Sequence, residues 1–129
     1  MAHIILIEPD RLLAEAYYNG LAAEGFSVTA CASAQAAIMA ADQQTPDAVI
    51  MELQLIEHSG IEFLYEFRSY SDWQNIPVII NSFVPSREFS NNQQILKKHL
   101  KVAYYHNKST TTIQQLIASI NKSLVKTLP

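Results

Sequence analysis

The stretch IILIEPD, residues 4–10, begins with four apolar residues and ends with two acids on either side of Pro9. A short apolar run that stops abruptly at charged residues is typical of a buried strand in a parallel sheet. Such a strand brings the side chains that follow it to the edge of the sheet. The stretch therefore predicts a first strand over residues 4–7, with Glu8 and Asp10 at its carboxyl end.

Similar apolar runs recur along the chain and alternate with longer stretches of helical periodicity. Strict alternation of this kind predicts an α/β fold, a doubly wound five-stranded parallel sheet flanked by helices. We expect a single domain over residues 1–129, with Ser109 or Thr110 as the N-cap of the last helix. Strands are predicted over residues 4–7, 26–31, 48–52, 76–80 and 102–105, and helices over residues 11–24, 33–44, 59–70, 86–100 and 109–126.

The composition is that of a globular domain. Hydrophobic residues make up 49% of the 129 residues and charged residues 16%, which is enough apolar material for a full core. The net charge of −3 argues against nucleic-acid binding, which requires a basic face. The N-terminus lacks the basic start of a signal peptide, and no apolar run reaches the ~18 to 20 residues of a membrane helix. We expect a soluble, cytoplasmic protein that binds neither nucleic acid nor membranes.

The numbers of cysteines, glycines and histidines exclude further classes of site. The single cysteine, Cys31, excludes an internal disulfide and a cysteine metal cluster. Three glycines are too few for a glycine-rich phosphate loop, and the four histidines show no metal-ligand spacing. We therefore predict no enzyme activity, no catalytic residues, no metal ligands and no cofactor, with Mg²⁺ binding left open.

Polar side chains follow four of the five predicted strands. In a doubly wound sheet the ligand site lies outside the carboxyl ends of the strands, at the point where the strand order reverses. We therefore expect the polar side chains to converge at this edge of the sheet. They are Glu8 and Asp10 after the first strand, Glu52 after the third, Ser82 after the fourth, and Tyr105 and Lys108 at the end of the fifth.

With these residues the chain resembles, over its whole length, the receiver domain of bacterial response regulators. In that family an acidic pair after the first strand binds Mg²⁺, and an aspartate after the third strand accepts a phosphoryl group. The fourth strand ends in a Thr or Ser. The fifth strand carries an aromatic switch residue and then a lysine. The matching segments are IILIEPD, PDAVIMELQLIEHSG with Gly60, IPVIINS and AYYHNKS. The resemblance implies a flavodoxin-like receiver fold.

The resemblance also implies a role for each residue. The residues alone leave plainer alternatives open, in which Asp10 is a helix N-cap, Ser82 an ordinary strand-end serine and Tyr105 a half-buried packing residue. The implied roles are phosphoacceptor equivalent for Glu52, acidic pocket for Glu8 and Asp10, degenerate metal position for Pro9, switch residues for Ser82 and Tyr105, and the family lysine for Lys108.

Two departures from the family pattern change the expected chemistry. Glu52 stands where the family has aspartate, so its carboxylate lies one carbon–carbon bond, about 1.5 Å, further out. A misplacement of ~1 Å can cost on the order of a hundredfold in rate. Pro9 supplies no side-chain oxygen, although Mg²⁺ is commonly held by one or two carboxylates. We therefore predict an atypical receiver, or pseudo-receiver, in which Lys108 lies between Glu8 and Glu52 and relieves their repulsion.

Two functions are consistent with this pattern. The first is a stand-alone module of two-component or phosphorelay signalling that acts by protein–protein interaction without phosphorylation. The second is a genuine Mg²⁺-dependent phosphoacceptor that a histidine kinase phosphorylates. A cofactor-binding protein or small enzyme on this architecture is a weaker third class, because acids and proline after the first strand repel phosphate. The expected partner is a signalling protein, either a histidine kinase or a downstream target.

The family resemblance finally implies an interaction surface. In the family, the face made by the fourth helix, fifth strand and fifth helix carries output or dimerisation, so we consider a homodimer through this face. Phe89 and Tyr104 belong to it, and the basic segment KKHLK, residues 97–101, lies beside it. The alternative for KKHLK is a solvated helix end, where cations face the C-terminal end of the helix dipole.

Overall fold

A computed structural model describes residues 1–56, 59–88 and 94–127, with the backbone alone for residues 126 and 127. Within these residues the strands form one parallel sheet in the order β2-β1-β3-β4-β5. This confirms the predicted doubly wound, five-stranded sheet. The strands are β1 His3–Ile7, β2 Ser27–Cys31, β3 Ala48–Met51, β4 Val78–Ser82 and β5 Val102–Asn107.

Helices cover both faces of the sheet. One apolar cluster joins the sheet to α1 and α4, and a second joins it to α2 and α3. None of the helices in the described part of the chain is long and apolar enough to cross a membrane. The helices are α1 Arg11–Ala23, α2 Ala34–Gln43, α3 Gly60–Ser69 and α4 Ile113–Thr127, with a short 3₁₀ helix at Ser71–Trp73 and a π-helical turn at Ile95–His99.

Local sequence signals explain where the first three helices begin and where α1 ends. The side chains of Asp10, Ser33 and Ser59 each accept a hydrogen bond from the backbone N–H three residues later. These bonds satisfy amides that have no partner inside the helix. Gly25 follows the end of α1 with φ = 94°, a conformation that glycine adopts without steric cost.

The prediction for the start of the last helix is wrong. Its N-cap is Thr112, whose Oγ1 accepts from the Gln115 N–H at 3.2 Å, while Gln115 Oε1 accepts from the Thr112 N–H at 2.8 Å. This reciprocal pair is a capping box. Ser109 and Thr110 belong instead to a turn that Asn107 holds through its side chain and carbonyl.

The predicted fourth helix over residues 86–100 is also wrong in the part that the structure describes. Residues 86–88 form a single 3₁₀ turn, and Ile95–His99 form a π-helical turn closed by the Leu100 N–H on the Ile95 carbonyl. The physical reason is the weak apolar pattern of this segment, in which Leu96 and Leu100 are the buried residues among those that the structure describes. Residues 89–93, with Phe89, lie outside the described residues.

The strand order places one crevice at the carboxyl edge of the sheet. The order reverses between β1 and β3, which is where ligands bind in doubly wound folds. Ile7 pairs with Met51 at the last step of this β1–β3 ladder. The residues that follow, Glu8 and Glu52, are therefore neighbours at the ends of two adjacent strands.

Candidate functional site

A buried cluster of two acids and one lysine occupies the crevice. Glu8 and Glu52 are each 4% exposed, and Lys108, which follows β5, is 8% exposed. The Lys108 Nζ donates to Glu8 Oε1 and to Glu52 Oε1, both at 2.6 Å. Lys108 therefore lies between the two acids and joins the ends of three strands. We call these three residues the acid–lysine triad, and the roles that the resemblance implies for them stay predictions.

The remaining oxygens of the two carboxylates are also bonded. Glu8 Oε2 accepts from the Asp10 N–H at 3.0 Å. Glu52 Oε2 accepts from the backbone N–H groups of Leu53 at 2.7 Å and Gln54 at 3.1 Å. Every carboxylate oxygen of the triad thus has a donor, which offsets the cost of burying it.

The charges of the triad stabilise one another. Burial raises the pKa of the Glu52 carboxyl, but hydrogen bonds from Lys108, the Ser82 hydroxyl and the Gln54 N–H outweigh it, so this pKa lies below its ordinary value. Burial lowers the pKa of the Lys108 ammonium, but hydrogen bonds and charge from Glu52 and Glu8 outweigh it, so this pKa lies above 10.5. The triad carries a formal charge of −1.

Asp10 does not share the pocket of Glu8. It is exposed, and its Oδ1 accepts from the Leu13 N–H at 3.0 Å at the start of α1. The interpretation of Asp10 as an N-cap is confirmed, and its assignment to an acidic pocket is corrected. The reason is that the first turn of a helix has free N–H groups, for which an aspartate here is the nearest acceptor.

The two predicted switch residues meet at the backbone of Val84. Ser82 is fully buried, and its Oγ accepts from the Val84 N–H at 3.1 Å. The Tyr105 hydroxyl donates to the Val84 carbonyl at 2.6 Å. Burial, together with the charges of Glu52 and Glu88, raises the pKa of Tyr105 to about 12. The segment after β4 is therefore tied both to the triad side of the sheet and to β5.

Phe83 is a contact of the site that the sequence reasoning missed. Its ring centroid lies 5.0 Å from the Lys108 Nζ, although the residue is 53% exposed. An ammonium at this distance from an aromatic face is attracted to it. The signal in the sequence was an aromatic residue directly after the fourth strand.

The donor set does not fit the Mg²⁺ ion of the family. Mg²⁺ requires near-octahedral coordination by oxygen atoms. Both buried carboxylates are bonded to Lys108, and Pro9 offers no side-chain oxygen. In the described part of the chain, no three His, Cys, Asp or Glu side chains are grouped as metal ligands. A metal ion at this site would compete with Lys108 for the two carboxylates.

The family model of the response regulator receiver domain matches residues 4–121. The chain therefore belongs to the response regulator receiver domain family, whose members act in two-component signalling.

Curated relatives with related sequences are transcriptional regulators. The probable transcriptional regulatory protein TcrX of Mycobacterium tuberculosis is 30% identical over 77 residues, which cover 60% of this chain and 32% of that protein. The KDP operon transcriptional regulatory protein KdpE of Escherichia coli is 27% identical over 82 residues, which cover 64% and 35%. The matched part spans about a third of the length of these relatives.

Solved structures show the same fold at low sequence identity. A sensor protein from Polaromonas sp. JS666 superposes with a TM-score of 0.85 at 20% identity, covering 97% of each chain. The chemotaxis response regulator CheY4 of Vibrio cholerae superposes with a TM-score of 0.83 at 17% identity, covering 95% of this chain and 98% of that one. The receiver domain of a sensor histidine kinase from Pseudomonas aeruginosa, solved with magnesium in its active-site cleft, gives 0.83 at 19% identity over 96% and 98%.

Proposed function

We propose that residues 1–129 act as a single atypical receiver domain, a pseudo-receiver, in two-component or phosphorelay signalling. It works by protein–protein contact without phosphorylation and without enzyme activity. The observation that carries the proposal is the state of Glu52 at the acceptor position. Its carboxylate is buried, and both of its oxygens are already bonded.

A bonded carboxylate is a poor nucleophile for phosphoryl transfer. In-line attack requires an oxygen lone pair that faces the phosphorus atom. Glu52 Oε1 is held by Lys108, and Oε2 is held by two backbone N–H groups. The same bonds lower the pKa of the Glu52 carboxyl, and among ionised groups a lower pKa means a weaker nucleophile. Attack therefore requires breaking contacts that stabilise the folded domain.

The charge of the site also opposes phosphorylation. Phosphoryl donors are anions, and the triad has a formal charge of −1 with its lysine already shared by two acids. In the family a divalent ion neutralises this repulsion. Pro9 removes an oxygen that such an ion needs, so nothing in the triad attracts the anionic phosphoryl donor.

The proposed output is a receiver surface that is held in place without a phosphoryl group. Glu52, Ser82 and Lys108 interact inside the site, and Ser82 and Tyr105 hold the segment after β4 through Val84. We propose Ser82 and Tyr105 as the residues that link the triad to the outer face. The partner is a cytoplasmic signalling protein, a histidine kinase or a downstream target, and not nucleic acid or a membrane. A homodimer through β5 with Tyr104 and α4 belongs to the same proposal.

Amide NMR spectra test this proposal directly. We expect the amides of Glu8, Glu52, Ser82 and Lys108 to stay unshifted when Mg²⁺ is added to millimolar concentration, and when beryllofluoride, a phosphoryl mimic, follows. The matched control is the double variant Pro9→Asp with Glu52→Asp, which restores the family carboxylates. It is expected to shift and saturate under the same additions.

The two alternatives give different spectra. Saturable shifts in the natural protein would return the Mg²⁺-dependent phosphoacceptor as its function. A double variant that stays silent along with the natural protein would show that Glu52 and Pro9 are not what removed the response. The proposal requires a silent natural protein and a responsive variant.

A further inference from the structure

A cavity with a mixed polar and apolar lining lies at the opposite, amino-terminal edge of the sheet, beside β4 and β5. Its volume is about 210 Å³. This is less than the ~300 Å³ at which sites for drug-sized ligands begin, but it is enough for a small ion with a few waters. The polar side chains that line it come from Arg68, Gln74, Asn75, Lys101, Tyr104 and Ser123.

Arg68 brings a buried positive charge to this cavity without an acidic partner. The residue is 8% exposed, and its guanidinium donates to the carbonyls of Trp73 at 2.7 Å, Leu100 at 2.8 Å and Lys101 at 3.2 Å. A guanidinium has five N–H groups, so two remain. Among the described residues no carboxylate lies within 4.0 Å of it. Burial alone lowers the pKa of Arg68 to about 10. Buried charges are normally paired with an opposite charge, whereas within the described residues this guanidinium has three carbonyls and the Phe67 ring, 5.6 Å from its Cζ, as partners.

Ser123 adds a buried hydroxyl with an unmet hydrogen bond. The residue lies on α4 and is 3% exposed. Its Oγ has no hydrogen-bond partner within the described ranges of the chain. The large majority of buried polar side-chain atoms have a partner, so an unpaired hydroxyl that lines a cavity indicates a missing acceptor or donor.

The backbone around the cavity is irregular. Lys101 has φ = 52°, in the left-handed region, where glycine or asparagine is usual after a helical turn. Ala103 is an extra residue in β5, because Val78 pairs with Val102 whereas Ile79 pairs with Tyr104. Bulges of this kind redirect side chains and are frequent beside functional sites. The exposed Lys101 Nζ donates to Asn75 Oδ1 at 3.3 Å, which holds a second cation at the cavity.

We propose that this cavity binds a small anion through a phosphate or carboxylate group, held by Arg68, Lys101 and Ser123. The oxygens of such an anion accept hydrogen bonds from the N–H groups of Arg68 that the three carbonyls do not use, from the Lys101 ammonium and from the Ser123 hydroxyl. None of the residues that line the cavity is acidic. The anion supplies both things that the cavity lacks, a negative charge and a hydrogen-bond partner. Water alone supplies only the second.

NMR titration with inorganic phosphate, and separately with acetate, tests the proposal at constant ionic strength. We expect saturable shifts at the amides of Asn75, Lys101, Ala103 and Ser123 with at least one of these probes. Lys101→Met is expected to weaken binding about tenfold, since it removes a charged donor. Ser123→Ala is expected to weaken binding about fivefold, the effect of one neutral hydrogen bond. Both substitutions leave Arg68 and its carbonyl bonds in place.

The matched control is Lys122→Met, which makes the same charge change at an exposed position of α4 outside the cavity lining. It is expected to leave the affinity unchanged. Three results would overturn the proposal: shifts that do not saturate, shifts confined to the acid–lysine triad, or equal weakening by Lys101→Met and Lys122→Met. If Ser123→Ala binds the anion as tightly as the natural protein, the Ser123 hydroxyl does not contact the anion.

Discussion

The two edges of the sheet bury a basic side chain to the same extent but in opposite ways. Lys108 and Arg68 are each 8% exposed. Lys108 lies between two carboxylates at 2.6 Å, so the carboxyl edge has more negative than positive charge. Arg68 is held by three backbone carbonyls and has no carboxylate partner among the residues that the structure describes, so the amino edge has more positive than negative charge there.

In a receiver domain the carboxyl edge is expected to attract an anion. In this chain the charges favour an anion at the amino edge instead. Members of the family take a phosphoryl group at the carboxyl edge. In this chain the two acids of the carboxyl edge are bonded to Lys108, and the proposed function is that no phosphoryl group is taken up there. The amino edge has the two cations and the cavity that an anion needs. Equal burial therefore says little about function until the charges that face each group are counted.

The largest expected effect comes from removing the lysine between the acids. Lys108→Ala leaves two buried carboxylates without a counter-charge, and we expect a loss of ~3–5 kcal/mol in the free energy of unfolding at pH 7. Urea denaturation measures this loss. Lys98→Ala, at an exposed lysine, is the control and is expected to change stability by no more than ~0.5 kcal/mol. A Lys108→Ala variant as stable as the natural protein would refute the account of the triad.

The arginine at the amino edge is expected to contribute less. Arg68→Met removes three hydrogen bonds to carbonyls, each contributing ~1 kcal/mol, so we expect a loss of roughly 2–3 kcal/mol. Relief of the unpaired charge offsets part of the loss. Arg11→Met is the control, because Arg11 makes an exposed pair with Glu15 at 3.9 Å. If Arg68→Met is as stable as the natural protein, the guanidinium is not needed to join these carbonyls, and the comparison between the edges fails.

The pH dependence of stability separates the contribution of Glu52 from that of Lys108. The pKa of Glu52 is lowered on folding, so its contribution is present above the unfolded value of about 4.3 and is lost as the pH falls through the folded pKa. The pKa of Lys108 is raised, so its contribution is present at neutral pH and is lost only above pH 10.5.

We expect Glu52→Gln to cost about 1 kcal/mol at pH 7, since a neutral acceptor replaces a charged one. The variant is also expected to lose less stability than the natural protein between neutral and acid pH. Thermal unfolding across this range measures both effects, with the exposed Glu66→Gln as control. Parallel pH profiles for Glu52→Gln and the natural protein would contradict the assignment of the acid transition to Glu52.

The smallest expected effect is at the aromatic contact of the triad. Phe83→Leu removes the ring that lies 5.0 Å from the Lys108 Nζ, and we expect a loss of ~0.5 kcal/mol. Phe83→Tyr keeps an aromatic face and is expected to keep the stability. A double-mutant cycle with Lys108→Ala measures the coupling between the two side chains. A coupling energy of zero would show that Phe83 only shields the site.

The sequence was sufficient to predict the sheet and the residues that lie at its carboxyl edge. Apolar runs predicted the strands, and strict alternation with helices predicted a parallel, doubly wound arrangement. It was insufficient for the segment before β5, where a weak apolar pattern did not distinguish an α-helix from short turns. It also misplaced the cap of α4 at Ser109 or Thr110, because several hydroxyl residues precede Ile113 and only the side-chain geometry selects Thr112.

The amino edge was missed although the helical pattern contains its signal. Arg68 lies on the same stripe of α3 as the buried residues Leu64 and Phe67. Ser123 lies on the stripe of α4 that contains Leu116 and Ile120. A polar residue at a buried position of a helix requires a partner, and that requirement can be read from spacing. The identity of the partner cannot be read from this spacing.

The sequence by itself determined which chemistry stands at the carboxyl edge, because the ends of parallel strands meet there whatever the details of packing. Glu8, Glu52 and Lys108 are therefore predictable neighbours. The tertiary structure alone decided that Lys108 bonds both acids and that Asp10 turns away to cap α1. It alone brought Arg68 and Ser123 to one cavity. Hydrogen bonds form or fail over a few tenths of an ångström, and packing between distant segments sets those distances.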